Sequence, residues 1–287
     1  MRTIVHLSDL HFGKVDQALL TPLVEAVSAL APDVVVVSGD LTQRARTAQF
    51  LEAQAFLARL PRPQVVVPGN HDVPLHNLLH RLLKPLDNFR RHIESNLSPS
   101  FVDTEIAVLG LNTARSMVVK NGRVNLAQLE SVRGAFARMG NEVIKVVVTH
   151  HPFDVPPHIN AGERVGRAEA ALGVFAQCGV DVLLAGHLHI SRTAGTKNRY
   201  ALPGYGALIV SAGTATSTRG RGEANSFNAL RLQKQRVEVE RFEWIAAQRR
   251  FVPVLQEVFA RKLNGWSLIA RMPQVGYPLR QNSCRLR

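Results

Sequence analysis

Cysteine is nearly missing from this chain: its 287 residues include two, Cys178 and Cys284, far apart. That argues against a disulfide framework and fits a reducing compartment. Long apolar runs are missing as well; none reaches the ~18 residues that a membrane-spanning helix needs. The opening Met1-Arg2-Thr3-Ile4-Val5-His6-Leu7 lacks the longer apolar core and small-residue cleavage site of a signal peptide, and it runs directly into Asp9 and His11. The expectation is a cytoplasmic protein with no transmembrane segment. Internal repeats, low-complexity linkers and long blocks of like charge are also lacking. Acidic residues are in deficit, 22 against 35 Lys and Arg, which gives a net charge of +13 and a pI of about 10.8. The charge is spread along the chain. It therefore suits a phosphate-bearing partner without choosing among a small molecule, a nucleic acid and a membrane surface.

What is present is the composition of a globular protein, 46% hydrophobic and 20% charged. At roughly 150 residues per domain the length allows one large domain or two small ones; with no linker in sight, one is preferred. Strand and helix alternate. Strands are predicted over Arg2–Ser8, Asp33–Ser38, Gln64–Val67, Glu105–Leu111, Glu142–Val148 and Asp181–Leu184. Consecutive valines, as in Val34 to Val37, suit strands buried on both faces. Helical spacing of apolar residues predicts helices over Asp16–Leu30, Thr47–Leu60, His76–Ser95 (interrupted at Pro85), Asn125–Met139 and Arg167–Cys178. Asn125 is read as an N-cap, and Gly179 as the stop of the last of these. Short strands follow over Ser191–Gly195, Tyr200–Pro203, Ala207–Ala212, Phe227–Leu232 and Val237–Phe242. Trp244–Leu263 reads as helical again, and residues 264–287 as a loosely packed basic tail after a domain of residues 1–263.

The chemistry sits where strands stop. Asp9-Leu10-His11, Gly39-Asp40, Gly69-Asn70-His71-Asp72, Thr149-His150-His151-Pro152 and Gly186-His187-Leu188-His189 each follow an apolar run. Ligand sites of α/β sheets collect at the carboxyl ends of strands. Any one of these residues alone reads as a turn, a cap or a surface histidine. Five strand ends that all finish in Asp, Asn or His make that reading improbable for the set. These donors suit Zn, Mn and Fe, and one carboxylate can bridge two such ions about 3.5–4 Å apart.

The order Asp-x-His, Gly-Asp, Gly-Asn-His-Asp, His, Gly-His-x-His resembles the calcineurin-like metallophosphoesterase superfamily, over Asp9 to His189. The resemblance implies an α/β fold, a four-layer αββα sandwich of two mixed β-sheets flanked by helices. It implies two divalent or trivalent metal ions per chain (Mn, Fe or Zn) and attack by a metal-bridging hydroxide on a phosphodiester. Carried over residue by residue, Asp9, His11 and His189 would hold one ion, Asn70, His150 and His187 the other, and Asp40 would bridge them. His71 would be the catalytic residue that assists the leaving group, with Asn70 and His71 contacting substrate. Asp72 would orient His71 or hold the turn. His150 and His151 compete for one ligand place; His150, first after the strand, is chosen. Within the superfamily the Gly-Asn-His-Asp form resembles the bacterial class III cyclic nucleotide phosphodiesterases, which implies a small nucleotide as substrate.

Rival readings are a nuclease of the double-strand-break repair type, an enzyme acting on a lipid-linked or glycerol phosphodiester, and a non-catalytic binding module. Nucleic acid is not favoured, because no further DNA-binding segment is visible. The run with His76, His80, Arg81, Lys84, Arg90, Arg91 and His92 reads as a solvated basic helix before it reads as an anion contact. Gly213-Thr214-Ala215 and the stretch from Arg219 to Asn228 are placed toward the site, with Arg219 or Asn225 on substrate. Tyr205 is read as a turn aromatic. The apolar positions of Trp244–Leu263 are read as packing on the sandwich first and as a homodimer contact second. Arg280, Arg285 and Arg287 are the charges of the tail.

Overall fold

The valine runs decide the architecture, because each must be covered on both faces. In the computed structural model, which describes residues 1–75, 78–116, 120–200, 202–219 and 222–274, Val34 to Val37 and Val65 to Val67 belong to two neighbouring strands. Alternate members turn opposite ways. Val34, Val36, Val65 and Val67 face a second sheet, while Val35, Val37 and Val66 face helices. The result is four layers, as the resemblance implies.

The first sheet contains β1 (Arg2–Leu7), β2 (Val34–Ser38), β3 (Gln64–Val67), β10 (Ser226–Gln233), β11 (Arg236–Ile245), β12 (Arg250–Lys262) and β13 (Gly265–Pro273), in the order β13-β12-β11-β10-β1-β2-β3. The second contains β4 (Ser100–Val102), β5 (Ile106–Gly110), β6 (Ile144–Val148), β7 (Val182–Ala185), β8 (Arg192–Gly195) and β9 (Leu208–Ser211), in the order β4-β5-β6-β7-β9-β8. Strands β1, β2 and β3 run parallel, as do β5, β6, β7 and β9; the outer strands are antiparallel. Both sheets are therefore mixed.

Between the sheets, Ile4, Val36 and Leu230 meet Val108, Val146 and Leu184 in a fully buried layer. Such side chains contribute roughly 1.5–3 kcal/mol each on burial. Outside the first sheet lie α1 (Leu20–Ala29), α2 (Thr47–Leu57) and α4 (Asp87–His92), with Leu23, Phe50, Phe56 and Phe89 turned inward; the short α3 (Leu78–Leu83) lies in the connection between β3 and α4. Outside the second lie α5 (Leu126–Phe136) and α6 (Ala168–Cys178), with Leu129, Phe136, Leu172 and Phe175 turned inward. The Asn125 cap is a reciprocal one. Its side chain accepts from Gln128 N, and the Gln128 side chain accepts from Asn125 N. Gly179, in the left-handed region at φ 66°, closes α6 as expected.

Three expectations fail. Trp244–Leu263 is not a helix: β11 ends at Ile245, a short turn spans Ala246–Gln248, and Arg250–Lys262 is a 13-residue strand. The apolar spacing fits either element, but Phe251, Val252, Val254, Val258 and Phe259 are β-branched or aromatic and favour the strand. Pro253 sits where the register slips: Arg241 pairs with Leu255 and Phe242 with Pro253. A bulge is where a strand tolerates a residue without an N–H. Second, Gly265–Pro273 is not loose tail but an edge strand, and its Trp266 is buried between the sheets. Third, none of Tyr200, Leu202 and Pro203 is in a strand; Tyr200 instead donates its hydroxyl to Phe153 O at 2.7 Å. His76, Cys284, Arg280, Arg285 and Arg287 lie outside the described residues. No helix among the described residues is long and apolar enough to cross a membrane.

Candidate metal centre

Every motif residue of the first sheet follows β1, β2 or β3, and every motif residue of the second follows β6 or β7. The loops are stitched to one another by the main chain. Asp9 N donates to Gly39 O at 3.1 Å, His11 N to Asp40 O at 2.9 Å, and Gly186 N to His150 O at 3.0 Å. Asp9, His11, Asp40, His187 and His189 all adopt φ between 53° and 72°. That left-handed backbone costs a non-glycine residue roughly 1–2 kcal/mol and is found where function holds it. Gly39, at φ 89°, passes so close that a Cβ there would lie 2.7 Å from His150 Nδ1. A Cβ on Gly186 would collide with Ser8 Oγ and Asp9 Oδ2.

The fold brings all seven candidate ligands together, six of them buried and Asn70 partly so. His189 Nε2 is 3.2 Å from Asp9 Oδ1 and 3.1 Å from His11 Nε2. Asn70 Oδ1 is 3.1 Å from both His150 Nε2 and His187 Nδ1. Asp40 Oδ2 faces both groups, 3.8 Å from His11 Nε2 and 3.4 Å from His150 Nε2.

The far side of each ring reveals what these short distances mean. His150 Nδ1 lies 2.8 Å from Ser38 O, His189 Nδ1 lies 2.9 Å from Arg219 O, and His187 Nε2 lies 2.9 Å from Glu163 Oε2. Carbonyls and an ionised carboxylate only accept, so these three nitrogens carry the hydrogen. With the imidazoles neutral, the inward nitrogens are bare lone pairs. They face one another, Asn70 Oδ1 and the carboxylates with no hydrogen between them. Asp9 Oδ1 is buried with no hydrogen-bond donor at all. A crowd of acceptors of this kind is the arrangement a cation resolves. The residues fit two metal ions on hard oxygen and imidazole donors.

The electrostatics point the same way. Burial alone would push the Asp9 and Asp40 carboxyls up. The imidazoles of His189 and His11 beside Asp9, and of His150 and His11 beside Asp40, outweigh it and hold both well below the usual carboxylate range. Burial would push His150 down, but Asp40 outweighs it and raises it to about 9. A cation in the centre would replace that proton.

His150, His151 and His187 also place nitrogens within 4.8 Å of one another. His151 is nonetheless spoken for: Nε2 lies 2.9 Å from Lys120 O, and Nδ1 lies 2.8 Å from Thr113 Oγ1. With one nitrogen donating and the other accepting, no lone pair of His151 is left for a metal.

A cavity of about 420 Å³ opens over the centre. Asp40, Asn70, His71, His187 and His189 form its floor, and Arg44, Lys120 and Arg219 supply positive charge. His71 is half-buried, and burial lowers its pKa against the opposing pull of Asp40. Asp72 does not touch the His71 ring. Its carboxyl accepts from Leu41 N, Thr42 N, Thr42 Oγ1 and Gly69 N, so it holds the turn. Arg219 reaches the cavity, whereas Asn225 donates to Ser217 O at 2.9 Å. Tyr205 donates to Val180 O at 3.0 Å, as a packed turn aromatic. In the basic run, Arg81 is buried against Ser116 O at 2.6 Å and Pro74 O at 2.9 Å, while Arg90 and Arg91 are exposed. Glu163, Lys120, Gln43 and Arg44 escaped the sequence reading. They lie in loops and turns without periodicity or motif spacing to mark them.

Residues 2–191 match the calcineurin-like phosphoesterase family, and the chain belongs to that family. It is a metallophosphoesterase of that family, with a donor set that fits a dinuclear centre. A purple acid phosphatase from yellow lupin (Lupinus luteus) seeds superposes with a TM-score of 0.67 at 13% identity, over 90% of this chain and 53% of that one. The chain thus spans about half of the lupin protein's length. A dimetal phosphatase from Danio rerio superposes with a TM-score of 0.61 at 15% identity, over 88% of this chain and 98% of that one. At these identities the likeness is one of fold. No curated protein matches the sequence significantly.

Proposed function

We propose that the protein hydrolyses phosphodiesters, with 3',5'-cyclic nucleotides as the first substrate class. Asp9, His11 and His189 would hold one ion, Asn70, His150 and His187 the other, and Asp40 would serve both. The observation that carries this reading is the position of Asp40 Oδ2, within 3.8 Å of His11 Nε2 and 3.4 Å of His150 Nε2. Two ions of Mn, Fe or Zn supply an acidified water and neutralise charge on the phosphate oxygens. The chain supplies the rest. Arg44, Lys120 and Arg219 draw the anion into the cavity. A phosphate that displaces Arg219 would free His71 Nε2 to take up a proton and pass it to the leaving alkoxide, with water as the other donor. A phosphoryl anion next to the ring raises a pKa that burial had lowered, which favours the protonated form at the moment of need.

The cavity, about 420 Å³, lies in the range of small-molecule sites and suits a mononucleotide. One observation favours a lipid-linked phosphodiester instead. Leu79, Leu82 and Leu83 of α3 are 70%, 54% and 71% exposed, and Leu75 just before them lines the cavity. A hydrolysis screen of the metal-loaded protein separates these readings. It compares cyclic AMP, bis-p-nitrophenyl phosphate, p-nitrophenyl phosphate, single-stranded DNA and a glycerophosphodiester, with Asp40→Ala as control. Turnover of cyclic AMP that the control lacks supports the nucleotide reading. Preference for the monoester, for DNA or for the glycerophosphodiester removes it.

A further inference from the structure

Glu163 lies on a short 3-10 turn, Ala161–Glu163, behind two residues that line the cavity, His187 and Lys120. Asn160 starts the turn by accepting from Gly162 N at 2.8 Å. The Glu163 side chain is nearly buried, and its two oxygens do different things. Oε2 receives the hydrogen of His187 Nε2 at 2.9 Å, while Oε1 pairs with Lys120 Nζ. Lys120 is itself anchored, since its carbonyl accepts from His151 Nε2 at 2.9 Å. The His151 and His187 rings stand 4.6 Å apart, so the four residues close a ring beside the cavity.

That ring settles two matters. A carboxylate only accepts, so His187 keeps its hydrogen on Nε2 and turns a bare Nδ1 toward Asn70 Oδ1. Without Glu163 the hydrogen could sit on either nitrogen and the imidazole could rotate. The same carboxylate also fixes an otherwise mobile ammonium. Lys120 is about half exposed and lines the cavity; pairing with Glu163 holds its charge over the place a phosphate would occupy.

We propose that Glu163 is a positioning residue for both: it fixes the metal-facing nitrogen of His187 and holds Lys120 as an anion contact for the substrate. The assignment rests on the two-metal reading of the site. No motif of the sequence marks either residue, because the turn that carries Glu163 lies in the long connection between β6 and α6.

The test compares wild type, Glu163→Ala, Glu163→Gln and Lys120→Met. Zinc content and the dissociation constant of the weaker ion are measured by competition with a chromophoric chelator. Thermal midpoints of the metal-free proteins report folding, and kcat and KM are taken on bis-p-nitrophenyl phosphate. Glu163→Ala is expected to weaken one of the two ions by about 10- to 100-fold, the usual effect of losing a carboxylate behind a ligating histidine. Glu163→Gln keeps an oxygen for His187 Nε2–H, so it restores zinc affinity most of the way while KM stays raised. Lys120→Met leaves both ions in place and raises KM by about 2- to 5-fold, the size of a partly exposed charge contact. Wild-type zinc affinity in Glu163→Ala would overturn the His187 half, and an unchanged KM in Lys120→Met the Lys120 half. A wild type that turns over no diester, but loses zinc on Glu163→Ala, would retire the phosphodiesterase reading and leave the positioning role standing. If Glu163→Ala does not fold, zinc affinity in Glu163→Gln decides: a loss as large as 100-fold there would show that hydrogen bonding to His187 is not what Glu163 supplies.

Discussion

The guanidinium of Arg219 stands 3.1 Å from Nε2 of His71. Arginine has donors only, so the ring nitrogen it meets carries no hydrogen. The hydrogen is on Nδ1, which donates to Gln43 O at 3.0 Å. His71 is thus held neutral and correctly turned, by one cation and one carbonyl. A phosphate entering the cavity would compete for Arg219 and release Nε2 to face the substrate.

His71→Ala is therefore expected to keep both metals and lose turnover by roughly 10²–10⁴-fold, the range for a positioned acid. Metal content with single-turnover rates on a diester checks this. A variant that keeps its rate would remove His71 from the chemistry. Arg219→Ala should act mainly on KM, since its charge binds the anion in ground and transition states alike.

Asp40→Ala removes a carboxylate that faces both groups of donors. It should bind at most one ion and lose turnover, with little change in the fold because Gly39 and the flanking strands remain. Metal analysis and circular dichroism test the claim together. Two ions and normal turnover in this variant would sink the bridging assignment.

The neighbours His150 and His151 should behave differently. His150 turns Nε2 inward, toward Asn70 Oδ1 and Asp40 Oδ2, so His150→Ala should cost metal. His151 spends both nitrogens on Lys120 O and Thr113 Oγ1. Its loss leaves a buried carbonyl and hydroxyl without partners, at about 1–3 kcal/mol each. His151→Ala should therefore keep its metals and unfold earlier. The reverse pattern, metal lost from His151→Ala alone, would mean that the wrong neighbour was chosen.

How far the sequence could be read follows from these residues. Asp9, His11, Asp40, Asn70, His150, His187 and His189 were legible because each follows a strand, and strand ends of a parallel sheet converge. The layers were legible for the same reason: a valine run needs cover on both faces. Glu163 and Lys120 were not legible, because their role depends on loops meeting in space rather than on spacing along the chain. Trp244–Leu263 misled because a bulged strand and a helix can share one apolar pattern. Pro253 sits in that bulge, and only the pairing partner reveals it.

Acid should destabilise the metal-free protein partly through His6. This residue is fully buried on β1, with Nε2 at 2.9 Å from Ser38 Oγ and Nδ1 without a partner. Burial lowers its pKa to about 3. The unfolded chain takes up the proton near pH 6.5 and the folded chain only near pH 3, so the contribution is complete above 6.5 and is lost as pH falls through that window. The whole loss is about 4–5 kcal/mol at most. Urea midpoints between pH 7 and pH 4 should fall less steeply in His6→Gln than in wild type. Parallel slopes would show that His6 does not titrate this way.

Trp266 offers the sharpest test of where the folded unit ends. A loosely packed segment after Leu263 could be removed at no cost. Instead Trp266 is 4% exposed and packs with Phe259, Leu232 and Val237 between the sheets. Its main-chain N–H donates to Gly206 O at 3.2 Å, and the Arg261 guanidinium lies 5.0 Å from its ring. Gly265 makes the contact feasible. At φ 104° it passes against Gly206, where any Cβ would collide with the Gly206 carbonyl. Trp266→Ala should cost about 3–5 kcal/mol, the usual range for emptying a buried aromatic site, and Gly265→Ala should also destabilise. Truncation after Leu263 should cost at least as much, since it strips β12 of one of its two partner strands and uncovers Val258 and Phe259. Denaturant unfolding of the three variants measures this. A truncated chain as stable as the full one would return β13 to the status of a tail.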